Sequence, residues 1–159
     1  VVRVFALLNK AIPSKLILVG DGPERYLCER LCREFNLCDK VIFLGKVRDT
    51  THVLEIADVF LLPSETESFG LAALEAMAVG VPVISSNTGG IPEVNIHGFS
   101  GYLSNVGDVE DMAKNMIYLL HPDNLPTFKI NAKERSKEFS LEKILPLYEE
   151  IYRNLVLNK

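Results

Sequence analysis

The chain has 159 residues, of which 48% are hydrophobic and 24% charged, with a formal net charge of −4. That apolar share excludes an intrinsically disordered chain, and the length suits one domain, residues 1–159, able to bury roughly 69% of its unfolded surface. The acidic balance, with no Lys/Arg run longer than two, argues against nucleic acid as a partner, and no stretch reaches the roughly 18 apolar residues that a transmembrane segment needs.

The opening Val1-Val2-Arg3-Val4-Phe5 has no initiator Met and no signal-peptide layout. It reads as the middle of a helix, Val2 to Asn9, with no strand before it, so a longer protein is expected, cut at this point. Leu16-Ile17-Leu18-Val19-Gly20 is a continuous apolar run that fits a strand covered on both faces. Pro23 is expected to open the next helix, where its missing N–H costs nothing, and that helix should run to about Phe35. Cys28 and Cys32 lie four apart on one face of it, with Cys38 beyond. They lack Cys-x2-Cys spacing and a fourth ligand, so no metal is expected, and free thiols fit a reducing cytoplasm.

Val41-Ile42-Phe43-Leu44-Gly45 reads as a second buried strand, followed by a short helix near Thr51 to Ile56 and a third strand, Asp58 to Leu62. The segment Pro63-Ser64-Glu65-Thr66-Glu67-Ser68-Phe69-Gly70 reads as a loop. A strongly apolar helix, Leu71 to Val79, follows and stops at Gly80. Val81-Pro82-Val83-Ile84-Ser85 is a fourth strand with Pro82 at its tolerant start. Asn87 to Glu93 reads as a second glycine-rich loop, and Gly98 to Leu103 as a turn into a short strand. Helical segments close the chain at about Val109–Leu120, Leu125–Glu138 and Leu141–Leu157. Pro146 is expected to kink the last or delay its start.

Strands alternating with helices at short spacing predict an α/β fold, a Rossmann-like doubly wound parallel sheet with right-handed crossovers. In such a sheet ligands bind beyond the carboxyl ends of the strands. Four segments are expected there: Gly20 to Pro23, Gly45 to Arg48, Glu65 to Gly70, and Ser85 to Gly90. Gly20-Asp21-Gly22 is neither a dinucleotide fingerprint, whose third glycine would fall at Arg25, nor a P-loop.

Glu67-Ser68-Phe69-Gly70-Leu71 is more informative. Gly70 lies at a helix start, where free N–H groups and the helix dipole favour an anion, and glycine admits close approach to the backbone. A diphosphate would fit the N–H groups of Phe69, Gly70 and Leu71. Glu75 lies about 7.5 Å further along the helix, a reach resembling that from a diphosphate to its ribose, and a carboxylate can accept from two vicinal hydroxyls. Among its small apolar neighbours Glu75 is expected to need a partner. A dipole-complementing Glu67 and a solvated Glu75 would be the plain structural alternative.

These residues carry a resemblance. Glu67-x7-Glu75 around Ser68-Phe69-Gly70, followed by Ala76-Met77-Ala78-Val79-Gly80-Val81-Pro82-Val83-Ile84, resembles the donor site of retaining GT-B glycosyltransferases of family 4. Leu18-Val19-Gly20-Asp21-Gly22-Pro23, Val41 to Gly45, Ala57-Asp58-Val59, Gly89-Gly90-Ile91-Pro92-Glu93 and His97-Gly98-x2-Gly101-Tyr102 match in family order across residues 1–120. Phe43-Leu44-Gly45-Lys46 and Gly90 to Val94 with His97-Gly98 look most like the bacterial members of bacillithiol synthesis.

The resemblance implies the C-terminal half of a GT-B fold with its first strand missing. It implies a nucleotide-sugar donor as substrate, best matched by UDP-N-acetylglucosamine, and no cofactor. The acceptor, L-malate or a similar small molecule, would be held largely by an N-terminal domain, onto which the helix from about residue 140 would pack. Glu67 would be catalytic and contact the transferred sugar. Ser68, Phe69, Gly70 and Leu71 would offer main-chain N–H groups to the phosphates and sugar, Glu75 would bind the ribose, Lys46 and Val47 the base, and Gly20 and Asp21 would border the nucleotide. The family's phosphate-binding Arg/Lys pair has no match in these residues, so the 159 residues alone are expected not to catalyse transfer. A non-catalytic α/β anion- or nucleotide-binding module is the alternative, because fold alone does not decide function.

Overall fold

The structure, a computed structural model, describes residues 1–157. The elements alternate as the apolar runs predict: α1 (Val2–Ala11), β1 (Leu16–Val19), α2 (Arg25–Glu34), β2 (Val41–Gly45), α3 (Thr51–Glu55), β3 (Phe60–Leu62), α4 (Leu71–Ala78), β4 (Val83–Ser86), α5 (Ile91–Val94), β5 (Gly101–Ser104), α6 (Val109–Leu119), α7 (Leu125–Ser136) and α8 (Leu141–Leu157). A 3-10 turn, Lys137–Phe139, joins α7 to the segment before α8.

All strand pairs are parallel, in two hydrogen-bonded groups: β1 with β2, and β3-β4-β5 in that order.

Helices cover both faces of β3-β4-β5 but only one face of β1-β2, which corrects the expectation that β1 and β2 are buried strands: Val19, Ile42 and Leu44 are exposed. On one face β1 to β5 share a core with α1, α2, α6 and the first turn of α7 that contains Val4, Phe5, Leu8, Leu31, Ile84, Met112, Met116 and Phe128. On the other, Val83, Phe60 and Leu62 pack with Ala73, Ala76 and Met77 of α4 and Ala132 of α7. Val83 and Ile84 thus face opposite layers, as successive strand residues must. Both are fully buried, which explains why β4 reads as an unbroken apolar run. The surface, 9981 Å², exceeds the roughly 8,000 Å² expected of a compact chain of this mass. Part of the excess lies on α8, where Leu141, Leu145, Tyr148, Tyr152 and Leu155 are exposed, and part on β1–β2, where Val19, Ile42 and Leu44 are.

Several local expectations are corrected. Pro23 does not open α2, since the helix begins at Arg25 and Pro23 sits in the preceding turn. Pro82 precedes β4, and its carbonyl accepts from the Phe60 N–H at 2.9 Å, so its missing N–H leaves no gap in the ladder. Asp58 and Val59 lie outside β3. The segment after Gly90 is not all loop: Ile91–Val94 forms a helical turn with Pro92 in its first positions. Pro146 does not delay the start of α8, which begins at Leu141 and runs through it. The surrounding residues are exposed, so the carbonyl that loses its helical donor can turn to water.

Candidate functional site

The site is built from two loops that leave the carboxyl ends of β3 and β4. The first, residues 63–70, carries Glu67, Ser68 and Phe69 to the start of α4. The second, residues 87–90, leads into α5. A Cβ on Gly89 would overlap the Glu67 carbonyl, and one on Gly90 would overlap that of Ser68. Both glycines are therefore fixed by the close approach of one loop to the other. Gly90 N–H donates to Glu67 O at 3.2 Å, and the Thr88 hydroxyl donates to Glu65 O at 3.2 Å. Between the loops lies an open hollow of 540 Å³, lined by Thr66, Glu67, Ser68, Thr88 and Gly89.

Gly70 sits at the N-cap of α4 with φ 95 and ψ 43, a left-handed conformation that a side chain would strain. No side chain caps the helix. The Gly70 carbonyl accepts from Ala73 and Leu74, so the helix is closed from its third residue onward. The N–H groups of Gly70, Leu71 and Ala72 make no hydrogen bond among the described residues. Beneath them, Ile91 of α5 lies against Gly70, 3.5 Å from where a Cβ would be. The result is a row of backbone donors without partners among the described residues, backed by the buried Ile91, the arrangement that helix N-termini offer to phosphates.

The carboxylates differ from expectation in one respect. Glu75 is exposed on the outer face of α4, while Ala73, Ala76 and Met77 take the buried face. Its apolar neighbours in sequence are not its neighbours in space, and it makes no hydrogen bond or ion pair among the described residues. Glu67 is half-buried at the hollow and makes no side-chain hydrogen bond or ion pair among the described residues.

The remaining predicted residues form a second group. Gly20 N–H donates to Gly45 O at 2.8 Å, which ties the ends of β1 and β2 and brings Gly20 and Asp21 close to Lys46 and Val47. Asp21 Oδ1 accepts from the Gly22 N–H at 3.0 Å. Lys46, Gly20 and Asp21 are exposed, and Val47 is half-buried. Nearby Asp49 is occupied in local structure: the Thr51 hydroxyl and N–H hold its carboxyl below the usual range, and it closes the start of α3. None of this second group lines the 540 Å³ hollow.

Sequence reading does not single out the polar knot under the second loop. Asn95, fully buried, donates through Nδ2 to Val83 O (3.1 Å), Ser85 Oγ (3.0 Å) and Tyr102 O (3.3 Å), and its Oδ1 accepts from Ser100 Oγ at 2.9 Å. Asn95 thereby pins the end of α5 to β4 and β5. An isolated Asn after a short apolar segment carries no sequence signal for that role.

Parallel strands flanked by helices give this chain the α/β architecture of one half of a GT-B fold. The match to the family model described as "Glycosyl transferases group 1", over residues 1–136, makes the chain a member of that family. It is 44% identical, over 161 residues and 98% of its length, to N-acetyl-alpha-D-glucosaminyl L-malate synthase of Bacillus anthracis, of which it covers 42%. Among solved structures, sucrose-phosphate synthase from Thermosynechococcus elongatus superposes with a TM-score of 0.85 at 32% identity, covering 99% of this chain and 43% of that one. Anabaena HepE in complex with UDP-glucose gives 0.83 at 27% identity, with 96% and 44% covered. The chain spans under half the length of the curated relatives it matches. Among the described residues no helix is long and apolar enough to cross a membrane.

Proposed function

We propose that the chain is the donor-binding half of a retaining hexosyltransferase that uses a nucleotide-sugar. One observation carries the reading most: the uncapped start of α4 presents three free N–H groups between two carboxylates, Glu67 at the hollow and Glu75 on the same helix. The diphosphate would lie on the N–H groups of Ser68 to Leu71. Glu75 would accept from the ribose hydroxyls, and its exposure suits an outward-facing contact. Gly20, Asp21, Lys46 and Val47 would border the nucleotide and its base.

Glu67 would face the transferred sugar. Its half-buried, unpartnered carboxylate is suited to stabilise positive charge that develops at the anomeric carbon. Transfer would proceed with retention, by attack on the face from which the phosphate leaves, the phosphate helping to take the acceptor proton. The likeness to the Bacillus anthracis synthase supports N-acetylglucosamine as the sugar and L-malate or a similar small acceptor. The likeness to HepE, which binds UDP-glucose, supports a uridine diphosphate donor. The acceptor would be bound mainly by parts of the protein outside these residues. These residues alone would bind a donor without transferring it.

Amide NMR titrations with UDP, ADP and GDP test the reading. Shifts concentrated at Phe69–Leu71, largest for one nucleoside diphosphate and weakened by Glu75→Ala, support it. Shifts spread over the surface, unaffected by that substitution, refute it.

A further inference from the structure

The end of α7 and the 3-10 turn behind it touch both α5, which follows the second loop, and Phe69 of the first loop. Arg135, half-buried, donates through Nε to Val94 O at 3.1 Å and through Nη2 to Glu93 O. These are the last carbonyls of α5, which has no further turn to bind them. The same guanidinium lies 4.8 Å from the centre of the Phe139 ring. That ring meets Phe69 edge-on, with centroids 5.7 Å apart and planes at 74°. Phe69 belongs to the first loop, and α5 begins directly after Gly90 of the second. One side chain is therefore tied to the end of α5 by hydrogen bonds and to the first loop through an aromatic ring.

We propose that Arg135, acting through Phe139, is a positioning residue that holds the Phe69–Leu71 backbone donors in register with the Gly89–Gly90 loop. The proposal rests on the donor-site reading above. Its chemistry is specific to arginine. The planar fork reaches two adjacent carbonyls at once while its face stays over the ring. Lysine offers one compact ammonium, which can reach a carbonyl or the ring but cannot span both. The two contacts converge on segments that already approach closely: Gly90 N–H on Glu67 O, and Ile91 on Gly70. Releasing Arg135 frees α5 at its far end, and the Phe69 ring loses its fixed neighbour. Small displacements of this kind, near 1 Å, can cost up to about 100-fold at a reacting centre.

The test uses Arg135→Lys and Phe139→Leu in the 159-residue chain, with two readouts. Hydrogen exchange of the Gly90 amide reports the contact between the loops without any ligand, against Val83 and Ile84 amides in the core as the reference. UDP titration reports the donor surface. The proposal expects each variant to speed Gly90 exchange selectively and to weaken UDP binding by about tenfold, with the double variant little worse than either single one. Uniform acceleration of Gly90, Val83 and Ile84 exchange with unchanged UDP affinity would show general stability alone and overturn it. So would wild-type behaviour of both variants. If the parent chain binds none of UDP, ADP and GDP, the donor-site reading fails, and selective Gly90 exchange still decides whether the brace exists.

Discussion

Gly89→Ala is the substitution whose outcome the geometry fixes most tightly. Gly89 has φ +54, and the added methyl would fall on the Glu67 carbonyl, oxygen and carbon both. Left-handed backbone at a non-glycine residue costs about 1–2 kcal/mol. Loss of the Gly90 N–H to Glu67 O bond adds about 1 kcal/mol, and parting the two loops adds strain, so about 2–4 kcal/mol is expected in total. Gly98→Ala is the matched control. Its φ is +77, but no atom lies within 4 Å of the new methyl, so only the backbone cost applies. Urea unfolding measures both, and UDP titration measures the site. Gly89→Ala is expected to lose more stability than Gly98→Ala and to lose UDP binding, whereas Gly98→Ala keeps it. Equal losses of stability with intact binding in both would refute the close approach as the reason for glycine at position 89.

Two further outcomes concern the scaffold. Asn95→Leu should destabilise by about 2–4 kcal/mol, because Ser85, Ser100 and two strand carbonyls lose a buried partner; a midpoint within experimental error of the parent in urea unfolding would contradict this. Tyr102, whose hydroxyl is pushed up from 10.0 by burial and then by Tyr118, gives an alkaline dependence. In the unfolded chain it ionises near 10 while the folded phenol stays protonated, so its stabilising contribution is intact below pH 10 and is lost as pH rises through the folded value. Tyr102→Phe should flatten the fall of stability above about pH 10 measured by thermal melts, and an unchanged slope would remove Tyr102 as its source.

The strands are legible wherever apolar residues form an unbroken run. β1, β2 and β4 announce themselves as apolar runs between turn residues, and Gly80, at φ +84, ends α4 as its position implies. Short or locally ambiguous pieces are not. Ile91–Val94 is one helical turn, too brief for periodicity, and its proline and preceding glycines read as loop. Composition alone misplaces Glu75, because helical phase decides its surroundings. Ala73, Ala76 and Met77 share the buried stripe, and position 75 falls between its rows. Glycine at a helix start anticipates the uncapped N–H groups of Gly70 and Leu71. The structure places Gly20, Asp21, Lys46 and Val47 together but apart from the hollow, across the break between the two strand groups. Arg135, Phe139 and Asn95 are invisible in the sequence, since their roles depend on contacts as much as 70 residues away, such as Phe139 with Phe69.

The measurement closest to the central claim is the affinity of this chain for UDP, read at the amides of Phe69, Gly70 and Leu71, in the parent and in Glu75→Ala. Saturable shifts are predicted at those three amides. Glu75→Ala is predicted to weaken binding about tenfold or more while leaving the unfolding midpoint unchanged, because Glu75 is exposed and bonds to nothing among the described residues. Binding that ignores Glu75, or shifts that avoid the start of α4, would contradict the donor-site reading.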